Sequence, residues 1–304
     1  MDTPELLSVL FEMKKFAQEQ GAPLRYLINT CRTIEHDLGN SLVDENLITI
    51  CHENWAASED HGFTNWNNDH PIRMLFVDRY EKSVDMVRAA IEKYSPEMMP
   101  DIPNAEEYMN TKSPDITFTE NMTLFVGETN FQIYHTPGHC QGQLCVYIPK
   151  ERVAIVGDFM AADYMVRMGN TSIENYLEAL DFFETLDVDW IIPTRGAAMK
   201  KEQIQQQRIA IFKWLSVVAE AIERGFTFQQ CMDSISFAEK SLLMDIAPKR
   251  HENIQSGIAI ACYDYVSGRR LEKNLELTNQ KFRYDFMYNQ IQKKERERFE
   301  VTDD

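Results

Sequence analysis

Apolar positions along the chain follow two rhythms, and the change between them falls near Gly196. Before it, short runs rich in branched and aromatic residues alternate with stretches whose apolar positions recur every three or four residues. Strands repeat with period two and helices with 3.6, so this alternation predicts an α/β order. Residues 6–19 form an amphipathic helix, and residues 24–29 and 47–51 read as strands. Helices are expected over 73–93 and 105–109, then strands over 116–119, 122–126, 131–135, 144–148 and 153–156. Gly127 and the segment 149–152 supply turns between them. Helical spacing returns over 173–186 and leads into a short buried strand at 190–192. From Glu202 onward the pattern is almost wholly helical, with helices over 202–224, 227–237 and 252–267 and a charged one ending near Arg298. Gly225 and Gly268 sit where helix C-caps fall. The expected organisation is a core over 1–200 with a helical extension over 201–304 packed on it.

Charge narrows the partners. Lys and Arg number 31 against 48 Asp and Glu, a formal net charge of −17, so the field around the protein repels phosphate backbones and anionic lipid. Neither nucleic acid nor membrane is expected as a partner. The chain has no apolar run of membrane-spanning length and its first residues lack a secretion-type apolar segment, so a cytoplasmic protein is expected. Six cysteines, at 31, 51, 140, 145, 231 and 262, show neither paired CxxC spacing nor the density of a disulfide scaffold. Reduced thiols, mostly in the core, are expected.

Candidate chemistry gathers in four segments, each directly after an expected strand, where α/β proteins assemble sites from distant sequence. The first is Thr30-Cys31-Arg32-Thr33-Ile34-Glu35-His36-Asp37-Leu38-Gly39-Asn40. The second is His135-Thr136-Pro137-Gly138-His139-Cys140-Gln141-Gly142-Gln143, the third Gly157-Asp158, the fourth Pro193-Thr194-Arg195-Gly196.

In order, spacing and wording these segments resemble the metallo-β-lactamase superfamily. Its members carry a Thr-His-x-His-x-Asp-His loop with Gly-Asn shortly after, a Thr-Pro-Gly-His turn, a Gly-Asp after a strand, and a Pro-x-His-Gly near the end of the core. The resemblance extends over roughly residues 2–196. It implies an αββα sandwich, two sheets face to face with helices outside, holding up to two metals at one edge. Met1-Asp2-Thr3-Pro4 looks like the family's Asp-Thr-Gly or Asp-Thr-Pro that ends an early strand, so the first sheet is expected to be incomplete, without the N-terminal strands of relatives. An edge exposed in that way would be covered by a dimer partner or by the C-terminal helices.

Carried over position by position, the family's ligands fall on a mixed set. The first His falls on Cys31, the second on Thr33, the Asp on Glu35 and the third His on His36. His139 matches the turn ligand, Asp158 the carboxylate that bridges two metals, and the last His falls on Arg195. The first metal would keep only His139 of its imidazoles, since a Thr hydroxyl is a weak donor, with Cys31 as a further ligand for a soft ion. The second would see Glu35, His36 and Asp158, a set suited to one zinc, iron or manganese ion. There the resemblance implies hydrolysis of a small ester, thioester or lactone, with Glu35 or Asp158 taking the proton of a metal-bound water. Arg195 opposes this reading, because a permanent cation standing where a ligand belongs can pair with Asp158 or Glu35 and replace the ion. The alternative is a metal-free pseudoenzyme whose old cleft binds a small molecule or a protein.

Other side chains have plainer roles. His52 is expected to pack or to bond a loop, Cys140 to be a buried thiol, and the loop bearing His61, Trp66 and His70 to be a surface excursion. The C-terminal helices are expected to wall the cleft or to form a homodimer contact.

Overall fold

A computed structural model describes residues 2, 7–22, 24–31, 36, 40, 46–54, 92, 114–162, 168, 172–228, 230–231 and 252–268. Eight strands and four α-helices are seen among them. Helix α1 spans Leu7–Glu19. Strands β1 (Tyr26–Ile28), β2 (Ile48–His52) and β3 (Ile116–Phe118) form a parallel sheet in that order, with Ile28 opposite Ile50 and Ile50 opposite Ile116. Strands β4 (Asn121–Val126), β5 (Thr129–His135), β6 (Leu144–Ile148), β7 (Val153–Gly157) and β8 (Trp190–Pro193) form a second sheet. Neighbours in it run antiparallel except β8, which is parallel to β7. Helices α2 (Ile173–Thr185), α3 (Glu202–Glu223) and α4 (Glu252–Val266), with a 3-10 turn over Pro149–Glu151, complete the described elements.

Alternation along the strands builds the layers. Ile28 and Ile50 of the first sheet pack with Ile133, Leu144 and Val146 of the second, which makes the interior between the sheets. The residues in between on β6 and β7, namely Cys145, Tyr147, Ala154 and Val156, point the other way and join Tyr176, Leu180 and Phe183 of α2. β6 is therefore buried on both faces, which explains its unbroken apolar run. Ile211, Trp214 and Val218 of α3 and Ile258 and Cys262 of α4 belong to the same cluster, so the C-terminal helices share one core with the second sheet. Each such large side chain contributes about 1.5–3 kcal/mol on burial.

Local signals set the helix ends. Ser172 caps α2 by accepting from the Asn175 N–H at 3.1 Å. At the end of α3, Gly225 takes φ +81°, its N–H bonds Ile222 O at 2.9 Å and the Phe226 N–H bonds Ala221 O at 3.1 Å. This pair of bonds is the Schellman closure that a left-handed glycine permits. The expected strands appear with ends moved by at most two residues, and the helices expected at 6–19, 173–186, 202–224 and 252–267 appear with ends moved by at most one. The expected helices at 73–93 and 105–109 and near Arg298, the loop with His61, Trp66 and His70, and most of 227–237 lie outside the described residues. No helix among the described residues is long and apolar enough to cross a membrane.

Candidate functional site

Parallel pairing places the carboxyl ends of strands side by side. β7 and β8 run together until Gly157 stands opposite Pro193, so Asp158 and Arg195 emerge as neighbours. The Thr194 N–H to Gly157 O bond at 3.0 Å fixes that relation. β1 ends at Ile28, and the next residues run to the second sheet, where the Leu144 N–H bonds Thr30 O at 2.7 Å. Since Leu144 is opposite His135, the whole turn 136–143 hangs over the same edge. Gly157 is needed there for two reasons. Its φ is +57°, and a Cβ on it would overlap Thr30 Oγ1 and come within 2.7 Å of Gln143 Nε2.

Four side chains then form a line of alternating charge. The Asp2 carboxylate accepts from the Thr30 N–H and from Thr30 Oγ1, each at 2.6 Å. Its Oδ2 lies 3.3 Å from His36 Nδ1. His36 Nε2 lies 3.0 Å from Asp158 Oδ2. On the far side, Arg195 Nε stands 3.2 Å from Asp158 Oδ2 and 3.3 Å from Oδ1. His139 Nε2 is more distant, 3.9 Å from the same Oδ2. Asn29 steadies the segment that bears His36: its Nδ2 donates to His36 O at 3.0 Å, and Asn40 Nδ2 donates to its Oδ1 at 2.9 Å.

Burial makes this line strongly coupled. His36 is fully enclosed, which by itself disfavours its charged form, yet the Asp2 and Asp158 carboxylates outweigh that and hold its pKa well above the ordinary imidazole value. Asp158 is also buried, which pushes a carboxyl upward. The hydrogen bond and charge of His36, followed by the charges of His139 and Arg195, bring it well below the usual carboxylate range. The raised pKa favours an imidazolium at His36, which lies between two carboxylates, and Arg195 supplies a permanent cation.

Cys31 completes the floor of the site. Its Sγ is buried and lies 2.7 Å from Cys140 Sγ, on the turn that carries His139. Burial, then the Cys140 hydrogen bond, and the charges of Cys140, Asp158 and Asp2 raise its thiol pKa well above the ordinary value. Cys140, expected as a buried thiol, is instead partly exposed on the turn 136–143. His52 bonds a loop as expected: its Nδ1 accepts from the Asn54 N–H at 3.0 Å, so its Nε2 donates to Thr119 O at 2.7 Å. It also stacks on His135 at 3.7 Å.

Of the residues that sequence reasoning brought to the site, His36, His139, Asp158, Arg195 and Cys31 come together. Glu35 and Thr33 lie outside the described residues. Asp2 was read only as the end of a strand, and the structure gives it a direct contact to His36. The signal was the Asp-Thr pair at the start of the chain.

Comparison with known proteins agrees with the fold. A family model described as the metallo-beta-lactamase superfamily matches residues 56–195, a span that holds His139, Asp158 and Arg195. That span is a little under half of the chain, and over it the chain is similar to the metallo-β-lactamase superfamily. A metallo-β-lactamase family protein from Thermus thermophilus is 12% identical with a TM-score of 0.55, over 88% of this chain and 84% of that one. A β-lactamase domain protein from Burkholderia ambifaria is 17% identical with a TM-score of 0.52, over 88% and 76%. A double mutant of the sec-alkyl sulfatase PisA1 is 13% identical with a TM-score of 0.56, over 91% of this chain and 46% of that one. At these identities the likeness is one of fold. Among curated proteins, an uncharacterized protein of Aquifex aeolicus (strain VF5) is 43% identical over 47 residues, 16% of this chain. The match spans about a fifth of that relative's length, 22%.

The similarity to the metallo-β-lactamase superfamily implies metal, which the donor set can be tested against. Among the described residues no group of three or more His, Cys, Asp or Glu side chains converges as metal ligands. Both oxygens of Asp158, the family's bridging carboxylate, are engaged by a permanent cation. Cys31, at the first ligand position, faces Cys140. The described donors therefore do not fit the superfamily's two-ion centre.

Proposed function

We propose that this chain is a metal-independent member of its superfamily, in which Arg195 and His36 supply the positive charge that ions supply elsewhere and the old cleft binds a small molecule or a protein. The observation that carries this reading is the seat of Arg195. Its Nε lies within 3.3 Å of both Asp158 oxygens, at the position where the family places its last imidazole ligand. A buried carboxylate needs a counter-charge, and once a guanidinium provides it a metal ion must enter against a fixed positive charge. Thermal stability tests this. The melting temperature is expected to be the same with chelator as with added zinc, manganese or iron(II). A rise of several degrees with one of these ions would contradict it, since a ligand that binds only the folded state raises stability by mass action.

One observation favours a second reading, a mononuclear hydrolase acting on a small ester, thioester or lactone. Asp2 stands behind His36 Nδ1 while His36 Nε2 faces Asp158, and a carboxylate behind an imidazole is how ligating histidines are oriented. His36, Asp158 and His139 would then hold a single ion, with Glu35 as a further donor. Binding of one equivalent of metal that is abolished in His36→Ala distinguishes this reading from the first.

A further inference from the structure

We propose that Cys31 and Cys140 are a redox-active dithiol that closes into a disulfide across the edge where the two sheets meet. The sulfurs lie 2.7 Å apart although the residues are separated by 109 positions. A disulfide bond is about 2.05 Å long, so closure asks for a shift of roughly 0.65 Å. The spacing is too short for a shared metal: two thiolates on one tetrahedral zinc, each about 2.3 Å from it, would stand about 3.8 Å apart.

Both thiols are placed by backbone bonds that do not involve sulfur. Cys31 follows Thr30, which is held on both sides: its N–H bonds Asp2 Oδ1 at 2.6 Å and its carbonyl accepts from the Leu144 N–H at 2.7 Å. Cys140 sits in a turn closed by the Thr136 N–H to Gln143 O bond at 2.9 Å and the Gln143 N–H to Cys140 O bond at 3.3 Å. Pre-organisation of this kind gives the second thiol a high effective concentration toward the first. Access differs between the two. Cys140 is partly exposed whereas Cys31, Cys51, Cys145, Cys231 and Cys262 are buried, so an oxidant meets Cys140 first.

The co-reactant is a low-molecular-weight disulfide. The Cys140 sulfur, as thiolate, attacks one sulfur of that disulfide, forms a mixed disulfide and expels one small thiolate. The Cys31 sulfur then attacks the Cys140 sulfur and expels the second. Two protein thiols become one protein disulfide, the small disulfide is reduced to two thiols, and the two thiol protons pass to the departing thiolates. The product pins the strand end of β1 to the β5–β6 turn and removes Cys31 from the floor of the site.

Oxidised glutathione serves as the probe, on the full native chain. After exposure, trapping of remaining thiols in denaturant and peptide mass mapping should show two of the six cysteines lost, joined as one cross-linked peptide containing Cys31 and Cys140, and reversed by dithiothreitol. Cys31→Ser should instead stop at a glutathione adduct on Cys140, and Cys140→Ser should keep all five of its thiols. Six free thiols in oxidised wild type, or a link between any other pair, would overturn the proposal. Mapping of the wild type decides this even where a serine variant fails to fold.

Discussion

Asp158 is almost wholly enclosed, with 4% of its side chain exposed, and its charge is sustained by neighbours on both sides. Removing Arg195 takes away one of them. Because Arg195 is itself 39% exposed, solvent screens much of the interaction, and Arg195→Met is expected to cost about 1–2 kcal/mol in urea denaturation instead of the larger loss of a fully buried pair. Gly157→Ala should cost more, about 2–4 kcal/mol, because it adds a left-handed backbone to an overlap with Thr30 and Gln143. His36 gives a pH signature. Its pKa is raised in the folded chain, so the folded state binds more protons than the unfolded one between the ordinary imidazole value of 6.5 and the raised value. Its stabilisation is fully present below pH 6.5 and fades as pH rises through the folded pKa. The stability gap between wild type and His36→Gln should therefore narrow above pH 6.5, and a gap that widens with pH would refute the ion-pair assignment. Arg195 and His36 were legible in the sequence from their places in the family wording. Asp2 was not, because its partners Thr30 and His36 lie 28 and 34 positions away and only the fold brings them together.

At the scale of elements, the site depends on strands that end together. Short runs of branched and aromatic residues revealed β4 to β7 well, and in β6 the run is unbroken because Val146 faces one layer while Cys145 and Tyr147 face the other. Short β1 was harder to bound: three residues form the strand, and Asn29 after it turns its side chain to His36 and Asn40. The tie between the C-terminal helices and the site was invisible to periodicity. Gln207, a polar residue on the buried face of α3, donates to Ala161 O at 3.1 Å and accepts from the Tyr176 hydroxyl at 3.4 Å. This anchors the segment directly after Asp158 to α3. Gln207→Leu should cost about 1–3 kcal/mol by leaving the Ala161 carbonyl without that donor, measured by chemical denaturation. Equal stability of the two proteins would mean that the tether is not used.

Across the whole molecule, one core joins the second sheet to α2, α3 and α4, and the sandwich interior joins the sheets to each other. A net charge of −17 surrounds this core. Self-repulsion of that size destabilises the compact state at low salt, so the melting temperature should rise as sodium chloride goes from near zero to about 0.15 M, where the Debye length falls to about 8 Å. Inside that field His36 and Arg195 both face the Asp158 carboxylate at the sheet edge, and this pairing is the core of the functional account. Metal content of the full chain tests it most directly. Protein purified without chelator, then incubated with zinc, manganese or iron(II), desalted and analysed by elemental mass spectrometry should carry well under a tenth of an equivalent of any transition metal. Close to one tightly held equivalent, absent from His36→Ala, would contradict the account.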